Sequence, residues 1–289
     1  MSTARGVRQR MRVGVSLTTI DVPAGWWLTG ARLVEEAGYD ALWCWDHFLS
    51  RGRRDDPVLE CWTTLAAAAA RTTRVRVGSL VSNVNNRHPA VLARMVATLA
   101  DLSGGRVQVG LGIGGYGAED EAYGIDFPPP PVRVERLEES VAVLRALWTG
   151  GPVSFEGRHF RLEGARAFPV PVPPPRIVVG GETPAGARLA ARVGDAWATT
   201  PEGITRDIAA FREALEEAGR GDAGVEVLLT VDLDRKRPAQ EQPIVADLPG
   251  ELGRWREAGA DEVVIGYVRP ESLVHVLAAG ERASVQATT

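Results

Sequence analysis

The sequence predicts an α/β fold, a single-domain (β/α)8 TIM barrel, and three observations predict it. Short apolar runs rich in Val, Ile and Leu recur eight times, each followed by a helical pattern, which is the alternation of such a barrel. The runs are continuously apolar, as parallel strands buried on both faces must be. The passage from helix into strand repeats its punctuation (EAGYDALW, RVGDAWA, EAGADEVVI), with glycine ending the helix and a carboxylate entering the strand.

Taken in order, the first strand is VGVSL (13–17), followed by a helix through TGARLVEEAG (29–38). ALWCW (41–45) is the second, before a helix around ECWTTLAAAAART (60–72). RVRVGSLV (74–81) is the third and leads to PAVLARMVATLADLSGG (89–105), where Pro89 suits a first helical turn and the glycines suit a stop. RVQVGLGI (106–113) is the fourth; after the run PPPP (128–131), an amphipathic helix covers 133–150. RIVVGG (176–181), DAWATT (195–200), EVLLTVDL (226–233) and EVVIGYV (262–268) complete the strands, with helices over 184–194, 204–219, 247–259 and 271–283. One segment departs from the alternation. Residues 150–175 alternate like a hairpin and then turn proline-rich, an excursion inserted before strand five. Helix-to-strand loops open on the N-terminal face of a barrel, so its tip reads as a stabilising cover there. No linker shows a composition shift, so one barrel spans 12–283, between a flexible N-terminus (1–11) and a C-terminal tail (284–289).

Composition bounds the function. The 289 residues are 45% hydrophobic and 24% charged, an ordinary soluble balance. A net charge of -4 with no basic face argues against nucleic acid as a partner. Lys236 is the single lysine and lies in a polar loop, a poor candidate for Schiff-base chemistry. Two cysteines, Cys44 and Cys61, are too few for a disulfide framework, and four histidines show no metal-ligand spacing with them. The N-terminal MSTARGVRQRM has no apolar core behind it and reads as neither signal peptide nor membrane span. A reduced, cytoplasmic enzyme acting on a small molecule is expected.

Gly110-Leu-Gly-Ile-Gly-Gly115 spells G-x-G-x-x-G directly after an apolar strand, the fingerprint of dinucleotide binding. In a Rossmann fold that motif follows the first strand of a βαβ unit. Here three strand–helix units precede it, and no helix running straight into another strand follows. The glycines sit instead at the C-terminal end of the fourth barrel strand, where barrel active sites are built. Glycine there lets a backbone approach a flat ring closely; the alternative is a bulge or tight strand exit.

Four stretches, GYDALWCWDHF (38–48), 87–114, 119–150 and 174–199, together resemble the bacterial luciferase-like family, and within it the deazaflavin (F420)-dependent oxidoreductase branch. They cover most of residues 12–200; the C-terminal third matches only in pattern. The resemblance implies F420 lying across the C-terminal mouth of the barrel, with FMN as the alternative cofactor in a two-component monooxygenase. A non-catalytic deazaflavin- or flavin-binding protein is a further alternative. A possible homodimer, and a flavin or F420 reductase system as cofactor supplier, are also implied.

By resemblance, Asp46 helps fix the ring edge and His47 lies near the reacting face, where histidine can exchange a proton near neutral pH. A cis Ser79–Leu80 peptide is implied behind the ring, with Ser82 on the same strand exit. Gly112, Gly114 and Gly115 approach the ring, and Glu119 bonds backbone amides or orients it. Val179, Gly180, Gly181 and Glu182 open a helix capped by Thr183 and Pro184 and hold the cofactor tail. Gly115 departs from the pattern: members that oxidise a sugar phosphate carry a carboxylate there and grip the phosphate with lysines absent here. The resemblance therefore implies a different substrate. RGRR (51–54) is a basic loop that meets either an anion or only solvent.

Overall fold

Eight parallel strands close into one barrel in the computed structural model, which describes residues 10–286 and, of 284–286, the backbone alone. In chain order they are β1 (Arg12–Leu17), β2 (Ala41–Cys44), β3 (Arg76–Asn83), β4 (Val107–Gly112), β7 (Arg176–Gly180), β8 (Ala196–Thr199), β9 (Glu226–Asp232) and β10 (Glu262–Val268). β5 (Val153–Glu156) and β6 (Arg161–Ala165) form a separate antiparallel pair. The barrel helices are α1 (Ala24–Glu36), α2 (Cys61–Ala69), α3 (Pro89–Ser103), α5 (Pro130–Leu147), α6 (Pro184–Val193), α7 (Pro201–Glu217), α9 (Leu248–Ala258) and α10 (Pro270–Gln286), with short α4 (Gly117–Ala122) and α8 (Pro243–Ala246) added. The expected termini at 1–11 and 284–289 fall mostly outside the described residues, and α10 carries helix to Gln286 where a tail was expected.

Local chemistry sets the ends of these elements. Thr183 and Thr200 accept from the amides of Gly186 and Gly203, Glu60 accepts from Trp62 and Thr63, and His88 Nδ1 from Ala90; each satisfies donors a helix start leaves free. Gly104 closes α3 at a φ of 66°, open to glycine at no steric cost.

Two cores result. Between barrel and helices lies a large apolar layer that includes Trp27, Leu65, Val109, Leu144 and Phe211. Inside the barrel Trp43 is enclosed by Ala41, Val178, Ala196, Leu228 and Val264. Its indole fills the space a side chain would take at Gly14 and Gly78, where a Cβ would stand 2.8 and 2.7 Å from the ring. At the N-terminal end the barrel is closed by charge. Fully buried Glu262 accepts from Arg176 (2.8 Å), Arg12 (3.3 Å) and Trp43 Nε1 (3.3 Å), and both arginines also pair with Glu226. The opposite, C-terminal end is left open.

The inserted hairpin forms as expected, but its tip is not on the N-terminal face. Phe160 packs edge-on to His88, the cap of α3 (5.3 Å), and Glu139 of α5 accepts the amides of Arg158, His159 and Phe160. Because α3 starts where β3 ends, the hairpin climbs the groove between α3 and α5 to the level of the mouth. The amides of its turn need an acceptor, and Glu139 on α5 supplies one.

Candidate active site

The C-terminal mouth holds a cavity of about 590 Å³, within the range of small-molecule sites. β2 delivers its first wall. His47 Nδ1 lies 2.9 Å from Glu119 Oε2 of α4, and the Leu49 amide donates to the same oxygen (3.3 Å). Burial raises the Glu119 carboxyl, but the His47 ring and the Phe48 and Leu49 amides outweigh it and hold it below the usual range. With Nδ1 engaged, Nε2 is the His47 nitrogen left for a ligand. Trp45 packs against the imidazole at 4.0 Å between centroids and fixes its tilt.

Asp46 lines the same wall, yet its carboxylate faces inward. It is 2% exposed and takes a bidentate pair from Arg87 (2.7 and 2.9 Å), which also bonds Glu60 at 2.5 Å. Burial pushes the Asp46 carboxyl above its usual range, and the two-pronged pair with Arg87 offsets part of that rise. Asp46 thus holds the β2 exit in place through Arg87.

β3 and β4 shape the second wall. Between Ser79 and Ser82 the register slips, so β3 carries one residue more than β4. The cis peptide is Leu80–Val81, one residue beyond the Ser79–Leu80 bond expected. Leu80 and Val81 face the cavity. Ser79 and Ser82 do not: Ser79 Oγ bonds the backbone of Gly110, and Ser82 Oγ accepts from Trp62 Nε1 (3.0 Å). Val179 is likewise fully buried, in the layer between barrel and helices. An extended strand alternates its side chains, so Val179 points away from the mouth that its glycine neighbours line.

The glycine run has an internal cause. A Cβ on Gly112 would stand 2.7 Å from Val81 Cγ2, one on Gly180 3.1 Å from the same methyl, and one on Gly114 2.8 Å from the Asn83 amide. Gly110 is pressed against the Ser79 carbonyl, and Gly181 against Gly186 of α6. Gly112, Gly114, Gly115, Gly180 and Gly181 all line the cavity. All but Gly115 are kept small by protein atoms, a requirement that holds with or without a ligand. Gly115 alone has space, with Arg51 at 3.8 Å.

Beyond β4 the loop is held from below. Arg133 of α5 donates to the carbonyls of Ile113 (2.9 Å), Gly114 (2.6 Å) and Pro128 (2.9 Å). The amides of Gly114, Gly115 and Tyr116, and those of Glu182 and Thr183 at the exit of the neighbouring strand β7, bond to no described residue. Those last two precede the N-terminus of α6. Free amides above a helix N-terminus suit an anionic group.

The third wall is one the sequence did not single out. Asp232 ends β9 and lines the cavity, and its carboxylate makes no hydrogen bond with a described residue. The surrounding wall desolvates its carboxyl, and with Glu182 opposite it is pushed up to about 6. Tyr267 follows on β10 at a φ of 53°, its ring 5.6 Å from that of Trp45. Arg51, Tyr116 and Asp120 also line the mouth. Only the topology brings Asp232 and Tyr267 beside β2, because β9 and β10 close the barrel against β1.

The family profile described as luciferase-like monooxygenase matches residues 11–234. The chain belongs to that family. It is 36% identical over 241 residues to a Nakamurella multipartita protein named F420-dependent glucose-6-phosphate dehydrogenase, covering 79% of this chain and 69% of the relative. A Mycobacterium tuberculosis relative named F420-dependent hydroxymycolic acid dehydrogenase is 33% identical, over 66% of this chain and 53% of its own length. An F420-dependent secondary alcohol dehydrogenase, solved with an F420–acetone adduct, superposes with a TM-score of 0.82 at 22% identity, over 94% of this chain and 98% of that one. That likeness shows a shared barrel fold. No described helix is long and apolar enough to cross a membrane.

Proposed function

We propose that the chain is an F420-dependent oxidoreductase exchanging a hydride between the deazaflavin ring and a small organic substrate. One observation carries this reading: the mouth combines free amides suited to an acidic tail with a histidine whose Nδ1 is fixed by Glu119. The relatives named F420-dependent dehydrogenases support it.

The residues fit the group. The cavity admits a flat three-ring system, and the free amides of 114–116 and 182–183 lie at one side of it. Bound there, F420 supplies a ring carbon that gives or takes a hydride. Those amides hold the acidic tail, and Arg133 keeps their loop in shape from beneath. Leu80 and Val81 give the ring an apolar backing. His47, oriented by Glu119, holds or moves a proton at the substrate or the ring edge. Trp45 and Tyr267 exclude water from that region.

Glucose 6-phosphate is not carried over from the relatives, because Gly115 offers no side chain to act on it. A homodimer, a cytoplasmic location and an enzyme that reduces F420 belong to the same reading.

Replacing His47 tests the proposal. His47→Asn is expected to lower turnover by about 10²–10⁴-fold while F420 affinity holds. Unchanged turnover, or affinity falling in step with it, would count against the assignment.

A further inference from the structure

A second cavity of about 430 Å³ adjoins the first and shares Trp45, Arg51, Asp232 and Tyr267 with it. Its base is apolar: Ile20 and Leu233 are 7% and 6% exposed. Its rim carries four cations, Arg51, Arg235, Lys236 and Arg269, against two carboxylates, Asp232 and Asp234. None of the four cations pairs with a carboxylate of a described residue. The Arg269 Nε is buried with no hydrogen-bond partner. Arg51 stands 5.8 Å over the Trp45 ring and 5.6 Å over Tyr116, at the doorway between the two cavities.

The loop bearing two of these cations is held in shape. Gln242, 6% exposed, accepts the Asp234 amide (2.8 Å) and donates to the carbonyls of Asp234 (3.0 Å) and Arg237 (3.2 Å). Asp234 also accepts the Lys236 amide (2.9 Å). A buried amide side chain that ties both ends of a turn fixes where Arg235 and Lys236 emerge. Charges left unpaired around a partly apolar chamber are poised to pair with something that enters it.

The cavities lie on different sides of the mouth. The free amides belong to the exits of β4 and β7, whereas Arg235, Lys236 and Arg269 follow β9 and β10 on the other side of the barrel, and Arg51, after β2, reaches from there to the edge of the Gly115 loop. An acidic cofactor tail held at the amides therefore leaves Arg235, Lys236 and Arg269 unengaged, while Arg51 stands between the two cavities.

Resting on the F420 reading for where reaction occurs, we propose that the second cavity binds the anionic end of the substrate. The substrate class is then an alcohol, carbonyl or unsaturated compound that also carries a carboxylate or phosphate. Its apolar portion lies against Ile20, Leu233, Trp45 and Tyr267, and its reacting carbon reaches past Asp232 into the first cavity.

The test is calorimetric titration of the full chain, without cofactor and at low ionic strength, with octanoate, octyl phosphate and 1-octanol as probes. The same titrations are run on Arg235→Ala/Lys236→Ala, whose replaced side chains bond no described residue, and F420 is titrated into both proteins. The expected result is octanoate or octyl phosphate binding at least about tenfold tighter than octanol, as a few charge-assisted bonds would give. Whichever anion is preferred names the group. The double variant loses that preference and keeps its F420 affinity. Equal binding of octanol overturns the proposal, as does a double variant that loses F420 affinity instead, which would assign the cations to the cofactor tail. If F420 fails to bind the wild-type chain while the anion preference persists, the cofactor reading falls and the anion site stands.

Discussion

Gly112 separates two explanations of the glycine run, one from packing and one from ligand contact. In Gly112→Ala the new methyl would stand 2.7 Å from Val81 Cγ2, where ordinary contact begins near 3.4 Å. Val81 cannot withdraw easily, because it is also against Gly110 and close to Gly180. Overpacking of this kind costs about 1–3 kcal/mol. At roughly 2–3 °C per kcal/mol for a chain of this size, the melting temperature should fall by about 2–9 °C. Val81→Ala removes the colliding methyls at its own cost, and the double variant should recover most of the Gly112→Ala loss. A urea-denaturation cycle on the four proteins measures the coupling between the two sites. The packing account requires a coupling of about 1 kcal/mol or more, favouring the double variant. Full additivity, or a Gly112→Ala protein of unchanged stability that no longer binds F420, would refute it and restore ligand approach as the reason for the glycine.

Three further outcomes follow from the charges. Glu119 has a carboxyl held below its usual range, so the stability it contributes is present above the ordinary value of about 4.3 and lost as pH falls through the lower folded value. The stability advantage of wild type over Glu119→Gln, followed by urea midpoints, should therefore be full at neutral pH and shrink in that acid window; a pH-independent difference would contradict it. Asp232 has the opposite sign: raised from 3.8 to about 6, its ionisation disfavours the folded state above pH 6 and has no effect below the unfolded value. Asp232→Asn should melt higher than wild type at pH 7.5 and converge with it near pH 4. Glu262→Ala would leave Arg12 and Arg176 facing each other with one shared carboxylate fewer, at a cost of about 3–5 kcal/mol by urea denaturation.

The sequence carried the strand–helix alternation well, because both faces of each strand are buried and leave an unbroken apolar run. His47 and Glu119 could be placed at strand exits, but not joined: α4, which presents Glu119 to the imidazole, is a six-residue helix too short for a periodic signal. Val81 could not be foreseen as the cause of the glycines, since the extra residue in β3 leaves no mark in composition. Ser79, Ser82 and Val179 were assigned to the cavity by the strand exit they belong to, and side-chain alternation turned them elsewhere. Asp46 followed the family's pattern, while the partner that engages it, Arg87, lies 41 residues on. Asp232, Tyr267 and Arg269 fall in the C-terminal third, and only barrel closure brings them to the mouth. The Arg51 loop was visible as a charge cluster; what it joins was not.

The central claim is that the amide-lined mouth holds F420. Titrating the purified chain with F420 and with FMN, each oxidised and reduced, and following fluorescence, tests it most directly. Tight F420 binding with negligible FMN binding is the predicted result. Tight FMN binding with none for F420 would contradict it, and oxygen consumption with a flavin reductase present would then identify a monooxygenase.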